Sequence, residues 1–360
     1  MGRINRRRWC GVAAGLAIGM AQVAFAGPLD VGVVDERASW MFHLDAEAAI
    51  NSTCGKFLVE QMRTDPKQPL NTAVEKFGVE PTRDVKGLTV YGFKPGEDDG
   101  VAVIVASAAV DGLGDKLQNA GLQDFAAAKS DGVTRYSWKD DHRSWYLAVR
   151  PTKAGDERFV VLASSGEALD GGLAVLAGTR PSIKALDSSE ANAPMLAKPS
   201  DGSILFVAAK GLGECEKFKT SIVKEARSLT IDMGERAGAG GSKETFAKAV
   251  IATSDPQVAV NMQQMVQGMV AFGSMMARDN QLPGAAEALQ SVKVAADGPA
   301  VTITSVQDSA VVLKRLKDLG AAIKSDGKNV SVSLESSKGE PDPKEAKTGP
   351  SDKPSPTKEK

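Results

Sequence analysis

Hydrophobic and polar positions alternate in short runs separated by helical stretches. Trp40, Phe42 and Leu44 alternate with Met41 and His43, which suits a strand, and Ala46 to about Met62 reads as helix. Gly87–Phe93 and Val101–Ala106 flank Gly96-Glu97-Asp98-Asp99-Gly100, a hairpin signature. Val110–Ala120 predicts a helix. Val133–Trp138, Ser144–Arg150 and Arg158–Ala163 predict strands, and a helix follows over 165–177. Later, the pattern predicts a hairpin of Ser291–Ala296 with Ala300–Val306 and a helix from Ser309 to Leu319.

The second half echoes the first in order. Ser203–Ala209 parallels Ser39–Asp45, and each leads to a Cys-x-Lys-Phe, at Cys54–Phe57 and Cys215–Phe218. Gly87–Val90 is answered by Ser228–Ile231, and Val103–Ser107 by Ala249–Thr253. The expected fold class is therefore α+β: two repeated units of mainly antiparallel sheet, each with helices packed on one face. The expected layout is a leader over 1–26, an extension over 27–37, units over 38–180 and 201–334, a linker over 181–200 and a tail over 335–360.

The two ends change the picture most. Arg3, Arg6, Arg7 and Arg8 precede an apolar run from Cys10 to Ala26 that closes on Ala24-Phe25-Ala26. A basic segment, an apolar core and a small-x-small site make a cleavable signal peptide, with Gly27 as the new N-terminus and a periplasmic or secreted destination. The run is short for a bilayer core of about 30 Å, so no transmembrane helix is expected after leader removal. Sec and twin-arginine export both fit. At the other end Pro341, Pro343, Pro350, Pro354 and Pro356 are interleaved with Lys and acidic residues, and no large apolar side chain follows Leu334. Such a segment buries too little apolar area to offset its ordering entropy, so a disordered tail is expected.

The stretch Ala38-Ser39-Trp40, His43-Leu44-Asp45, Ser52-Thr53 and Gly55-Lys56, followed by Gly87–Gly92, resembles a group of exported proteins of planctomycete-type bacteria. The resemblance covers the first half of the mature chain. It implies export and repeat architecture and carries no activity.

Charge excludes some classes. The chain has 44 Lys+Arg against 45 Asp+Glu, and loss of the leader arginines leaves it mildly acidic. No basic stripe interleaves with aromatics, so nucleic-acid binding is not expected.

Candidate chemistry is sparse. Cofactors and metals are expected to be absent, and no catalytic residue is assigned. His43-x-Asp45 puts two side chains on one strand face, which suits a hydrogen-bonded pair better than a metal site lacking a third ligand. Asp140-Asp141-His142 sits where Asp commonly serves a turn. Gly238-Ala239-Gly240-Gly241 is not followed by Lys-Ser/Thr, so it makes no phosphate loop. No Gly-x-Ser-x-Gly elbow is present. An enzyme built on dispersed carboxylates such as Asp45 or Asp141 stays open as an alternative, as does a structural envelope protein.

The most unusual segment is 255–279. No charged residue occurs from Pro256 through Ala277, while Met262, Met265, Met269, Phe272 and Met276 recur at helical spacing. Packing under the second sheet is the first reading of this face. A groove for a protein, peptide or apolar ligand is the second, since methionine adapts to varied surfaces. Finally, Cys54 and Cys215 survive leader removal in matching contexts, so either a disulfide or two buried thiols is expected.

Overall fold

The computed structural model describes residues 29–325, apart from 65–73, 76, 95–98, 131, 141–142, 153–154, 215–223, 281 and 283. The expected leader and tail, Cys215, Asp141 and His142 lie outside the described residues.

Twelve strands form one antiparallel sheet, and the chain is α+β. The strands are β1 (Trp40–Asp45), β2 (Val85–Gly92), β3 (Val101–Ser107), β4 (Gln123–Ser130), β5 (Val133–Asp140), β6 (Arg143–Pro151), β7 (Glu157–Ala163), β8 (Ser203–Lys210), β9 (Ala226–Ala237), β10 (Lys243–Thr253), β11 (Lys293–Asp297) and β12 (Ala300–Asp308). Their order across the sheet is β11-β12-β10-β9-β8-β1-β2-β3-β7-β6-β5-β4. The helices are α1 (Ala46–Asn51), α2 (Thr53–Thr64), α3 (Pro81–Asp84), α4 (Leu113–Asn119), α5 (Gly166–Ala177), α6 (Ala193–Leu196), α7 (Pro256–Asp279), α8 (Ala285–Gln290) and α9 (Ser309–Ser325).

The expectation of two separate sheets is corrected. β1 and β8 pair from Trp40↔Ala209 to Leu44↔Leu205, which fuses the halves into one sheet. Contacts divide the chain into Met1–Leu319, which holds the twelve described strands, and Gly320–Lys360, whose described part is the helical stretch through Ser325. Outward from the central pair, the order β1-β2-β3-β7-β6 on one side matches β8-β9-β10-β12-β11 on the other. The first half then adds β5 and β4 beyond β6.

Cross-strand register explains where the helices go. One row runs Leu147, Leu162, Ala102, Val90, Phe42, Val207, Ile231, Ala249, Ile303 and Val294, apolar from end to end. The adjacent row, on the opposite face, runs Ala148, Val161, Val103, Thr89, His43, Phe206, Asp232, Lys248, Thr304 and Lys293. It is mostly apolar in the first half and turns polar after Phe206. The first half therefore needs cover on both faces and the second half on one.

That corrects the expectation of helices on one face only. In the first half, one core joins Leu113 and Leu117 of α4 to Leu88, Ile104, Leu147 and Leu162. A second core, on the other face, joins Leu169 and Leu173 of α5 to Met41, Tyr91, Val101 and Val161. In the second half α7 packs on the apolar face, with Met262 and Ala259 against Val301.

The extension and the segment expected as a linker both contribute to that second core. Val33 and Val34 of the extension are buried there, and so are Ile183 and Met195 of the expected linker. A buried carboxylate holds the same region. Asp35 accepts from the Arg37 backbone N–H at 2.9 Å and from Arg37 Nε and Nη2 at 3.0 and 2.9 Å, and it lies 3.4 Å from Arg180 Nη1. It also bridges to Ser182 through the backbone. The clasp thus ties the extension to the segment following α5.

Local sequence sets the helix ends. Asp45 caps α1 by accepting from the Ala48 N–H, and Ser165 caps α5 by accepting from the Ala168 N–H. Gly178 ends α5 at φ +76°, a conformation that disfavours side chains. The single helix expected over 46–62 is broken at Ser52, whose extended backbone separates α1 from α2.

Candidate functional site: the uncharged helix and its two flanks

Asp255 and Pro256 start α7. The Asp255 carboxylate accepts from the Gln257 and Val258 N–H groups, and proline at the first position forgoes an N–H that has no helical partner. The helix then runs to Asp279 and crosses the end of the sheet over β11, β12 and β10.

Its buried seam is narrow and sets small residues at both ends around Met262 and Val266. Ala259, Met262 and Ala277 are buried, with Val266 and Gly273 half-buried between them. A Cβ on Gly273 would lie 3.2 Å from Leu289 Cδ1, so glycine lets α8 pack close. At 3.6 residues per turn these positions share one side of the helix.

The apolar face expected from sequence is corrected by this seam. Of its five members only Met262 is buried, at 4% exposure, while Met265 is half-buried. Met269, Phe272 and Met276 are 57%, 60% and 43% exposed. They stand on a flank beside the seam because the seam's small side chains bring the backbone down to the sheet and leave the long ones outside.

The other flank borders a cleft of about 790 Å³. Val270, Ser274, Met275 and Arg278 of α7 line one wall, and Leu289, Val292, Lys293 and Val294 line the other. Met275 is also exposed. Gln263 Nε2 donates to the Val294 carbonyl oxygen at 3.2 Å, which joins the helix to β11, the last strand of the sheet.

The remaining sequence candidates are placed as follows. His43 is buried with Nδ1 2.9 Å from Thr89 Oγ1, its register partner on β2. Asp45 serves as the α1 cap, its carboxyl pushed up by burial and only partly offset by the Ala48 N–H. Cys54 is half-buried in α2, and burial followed by the charge of Glu235 pushes its thiol up. Among the described residues no group of three or more His, Cys, Asp or Glu could hold a metal ion.

Two charged anchors escaped the sequence reading. Burial pushes the Asp35 carboxyl up, but hydrogen bonds and charge from Arg37, with Arg180, hold it below the usual range. Glu235 accepts from the Thr53 N–H, at the start of α2, with both oxygens at 3.0 and 2.9 Å, and pairs with Lys243 at 2.7 Å. Burial raises it, and Lys243 and Thr53 bring it below the ordinary value. Each anchor joins a near partner, Arg37 or Lys243, to a distant one, Arg180 or Thr53, and it is the distant partner that no local motif announces.

Among the described residues no helix is long and apolar enough to cross a membrane. No family model, no curated protein and no solved structure matches this chain.

Proposed function

We propose that this chain is an exported binding module, and that α7 presents its surface to a partner protein, peptide or apolar ligand. One observation carries the reading. On a helix without charge from Pro256 through Ala277, Met269, Phe272, Met275 and Met276 stand exposed. Long exposed apolar side chains grouped on one element mark interaction surface more often than chance exposure, and methionine suits a surface that must adapt.

Binding is favoured over turnover by what the buried carboxylates do. Asp35 holds two arginines, Asp45 caps a helix, Asp84 accepts from the Glu80 N–H and from Arg83, Asp232 accepts from the Ser200 N–H through one oxygen, and Glu235 anchors α2. Each has a structural task. The leader expected over 1–26 supplies export, and the matching strand order of the two halves supports descent from one duplicated unit.

The test pairs binding with folding. Peptides selected against the full chain from a random displayed library serve as the probe. Phe272→Ser combined with Met276→Ser should weaken their binding by about tenfold or more, as loss of a central apolar anchor does. Stability should stay within about 0.5 kcal/mol, because both side chains are exposed. Unchanged binding of every selected peptide would remove the flank from the account.

A further inference from the structure

β6 and β11 hold corresponding places, each lying outside the strand that ends its half's meander, β7 or β12. The outer edge of β6 pairs with β5 along Thr134↔Val149 to Asp140↔Arg143. The outer edge of β11 pairs with no strand among the described residues, and the cleft lies there instead.

The edge is polar and only partly occupied. Val294 O faces out of the sheet, since it accepts from Gln263 rather than from β12. In an antiparallel strand a residue's N–H and C=O point to the same side, so the Val294 N–H faces out too, and the alternation repeats at Val292 and Ala296. Val292 fits this pattern, its N–H donating away from the sheet to Leu289 O at 3.1 Å. The Gln263 amide thus sits where the N–H of a neighbouring strand would donate.

Charge narrows the occupant. Arg278 and Lys293 line the cleft, and neither makes an ion pair among the described residues. Asp279 stands beside Arg278 in the cleft, while Lys293, on the opposite sheet face from Val294, puts its positive charge along the other face of the β11 edge. Val270 on one wall and Leu289 and Val292 on the other give the cleft apolar lining.

The geometry points to a strand-addition site: an extended, acidic segment of a partner protein pairs with the outer edge of β11, displacing the Gln263 amide. An acidic side chain opposite Lys293 forms the favourable cross-strand pair, and alternate apolar side chains meet Val270 and Leu289. This inference rests on the binding reading above and names the partner's chemistry and backbone form.

Peptides from the same displayed-library selection test it. They should alternate apolar residues with Asp or Glu. Methylating alternate backbone amides along one edge should weaken binding by about tenfold or more, because main-chain hydrogen bonds supply the affinity of an added strand. Lys293→Glu should weaken binding and Gln263→Ala should strengthen it severalfold. The amide methylation is made on the peptide, so that result does not depend on how a variant folds.

Peptides that tolerate methylation at every amide yet lose binding with Phe272→Ser would overturn strand addition and leave the binding reading standing. Peptides sensitive to neither change would overturn both. A dimer of the full chain that forms with concentration and competes with the peptide would assign the edge to a second copy and overturn the partner proposed.

Discussion

Asp35→Ala should destabilise the chain by about 3 kcal/mol, the cost expected when one partner of a buried, hydrogen-bonded ion pair is removed. The carboxylate is fully buried, while Arg37 and Arg180 keep part of their guanidinium surface in water. That partial exposure puts the expected cost at the lower end for such pairs. More than charge is lost, because the backbone N–H of Arg37 loses its acceptor and the extension loses its tie to Arg180.

The effect of pH follows from the sign of the Asp35 shift. Its folded-state pKa is held below the unfolded value. The stabilisation is therefore complete above the unfolded carboxylate value of about 3.9 and is lost as pH falls through the depressed folded value. Urea melts of wild type and Asp35→Ala should differ most near neutral pH and converge in acid. A constant difference down to about pH 2 would show that packing, and not the carboxylate charge, makes the contribution.

The second large effect separates two methionines on α7. Met262→Ala should cost about 2–4 kcal/mol, since its side chain is buried against Val301 and leaves a cavity. Met269→Ala should change stability by less than about 0.5 kcal/mol, since most of that side chain is already in water. Denaturant melts of the two variants measure the contrast. Equal losses would mean that Met269 is packed, and the exposed flank would vanish with it.

These two residues also show how far the sequence could be read. The apolar character of α7 and its start were legible, from the period of its large side chains and from Asp255-Pro256. The rotation of its buried seam was not. Hydrophobic spacing favours the large residues, whereas close approach selects Ala259, Gly273 and Ala277, whose value lies in what they lack.

The strands follow the same logic. Val101–Ala106 and Phe159–Ala163 are runs of consecutive apolar residues, and that is the pattern of strands covered on both faces. The expectation of one covered face did not use it. β4 carries Ala126, Ala127 and Ala128 with polar neighbours on an exposed outer strand, so it shows no alternation to detect.

The match of Ser39–Asp45 with Ser203–Ala209 aligns Met41 with Leu205. In the sheet Met41 and Phe206 enter the same core, and Leu205 faces the other way. A one-residue slip exchanges the faces of a strand, and apolar strings alone do not fix it. The fusion of β1 with β8 was likewise beyond the sequence, because short apolar strands look alike and their partners are chosen by the whole fold. The cleft beside β11 was hidden for the same reason, since it depends on which strand ends the sheet.

The central claim is that α7 presents the binding surface, and methyl spectra of methionine-labelled full chain test it most directly. Titration with a selected peptide should shift Met275, Met269 and Met276, the exposed methionines of α7. Met41 and Met195, fully buried in the first half, should stay in place. Shifts confined to Met41 or Met195, with every methionine of α7 unmoved, would contradict the account.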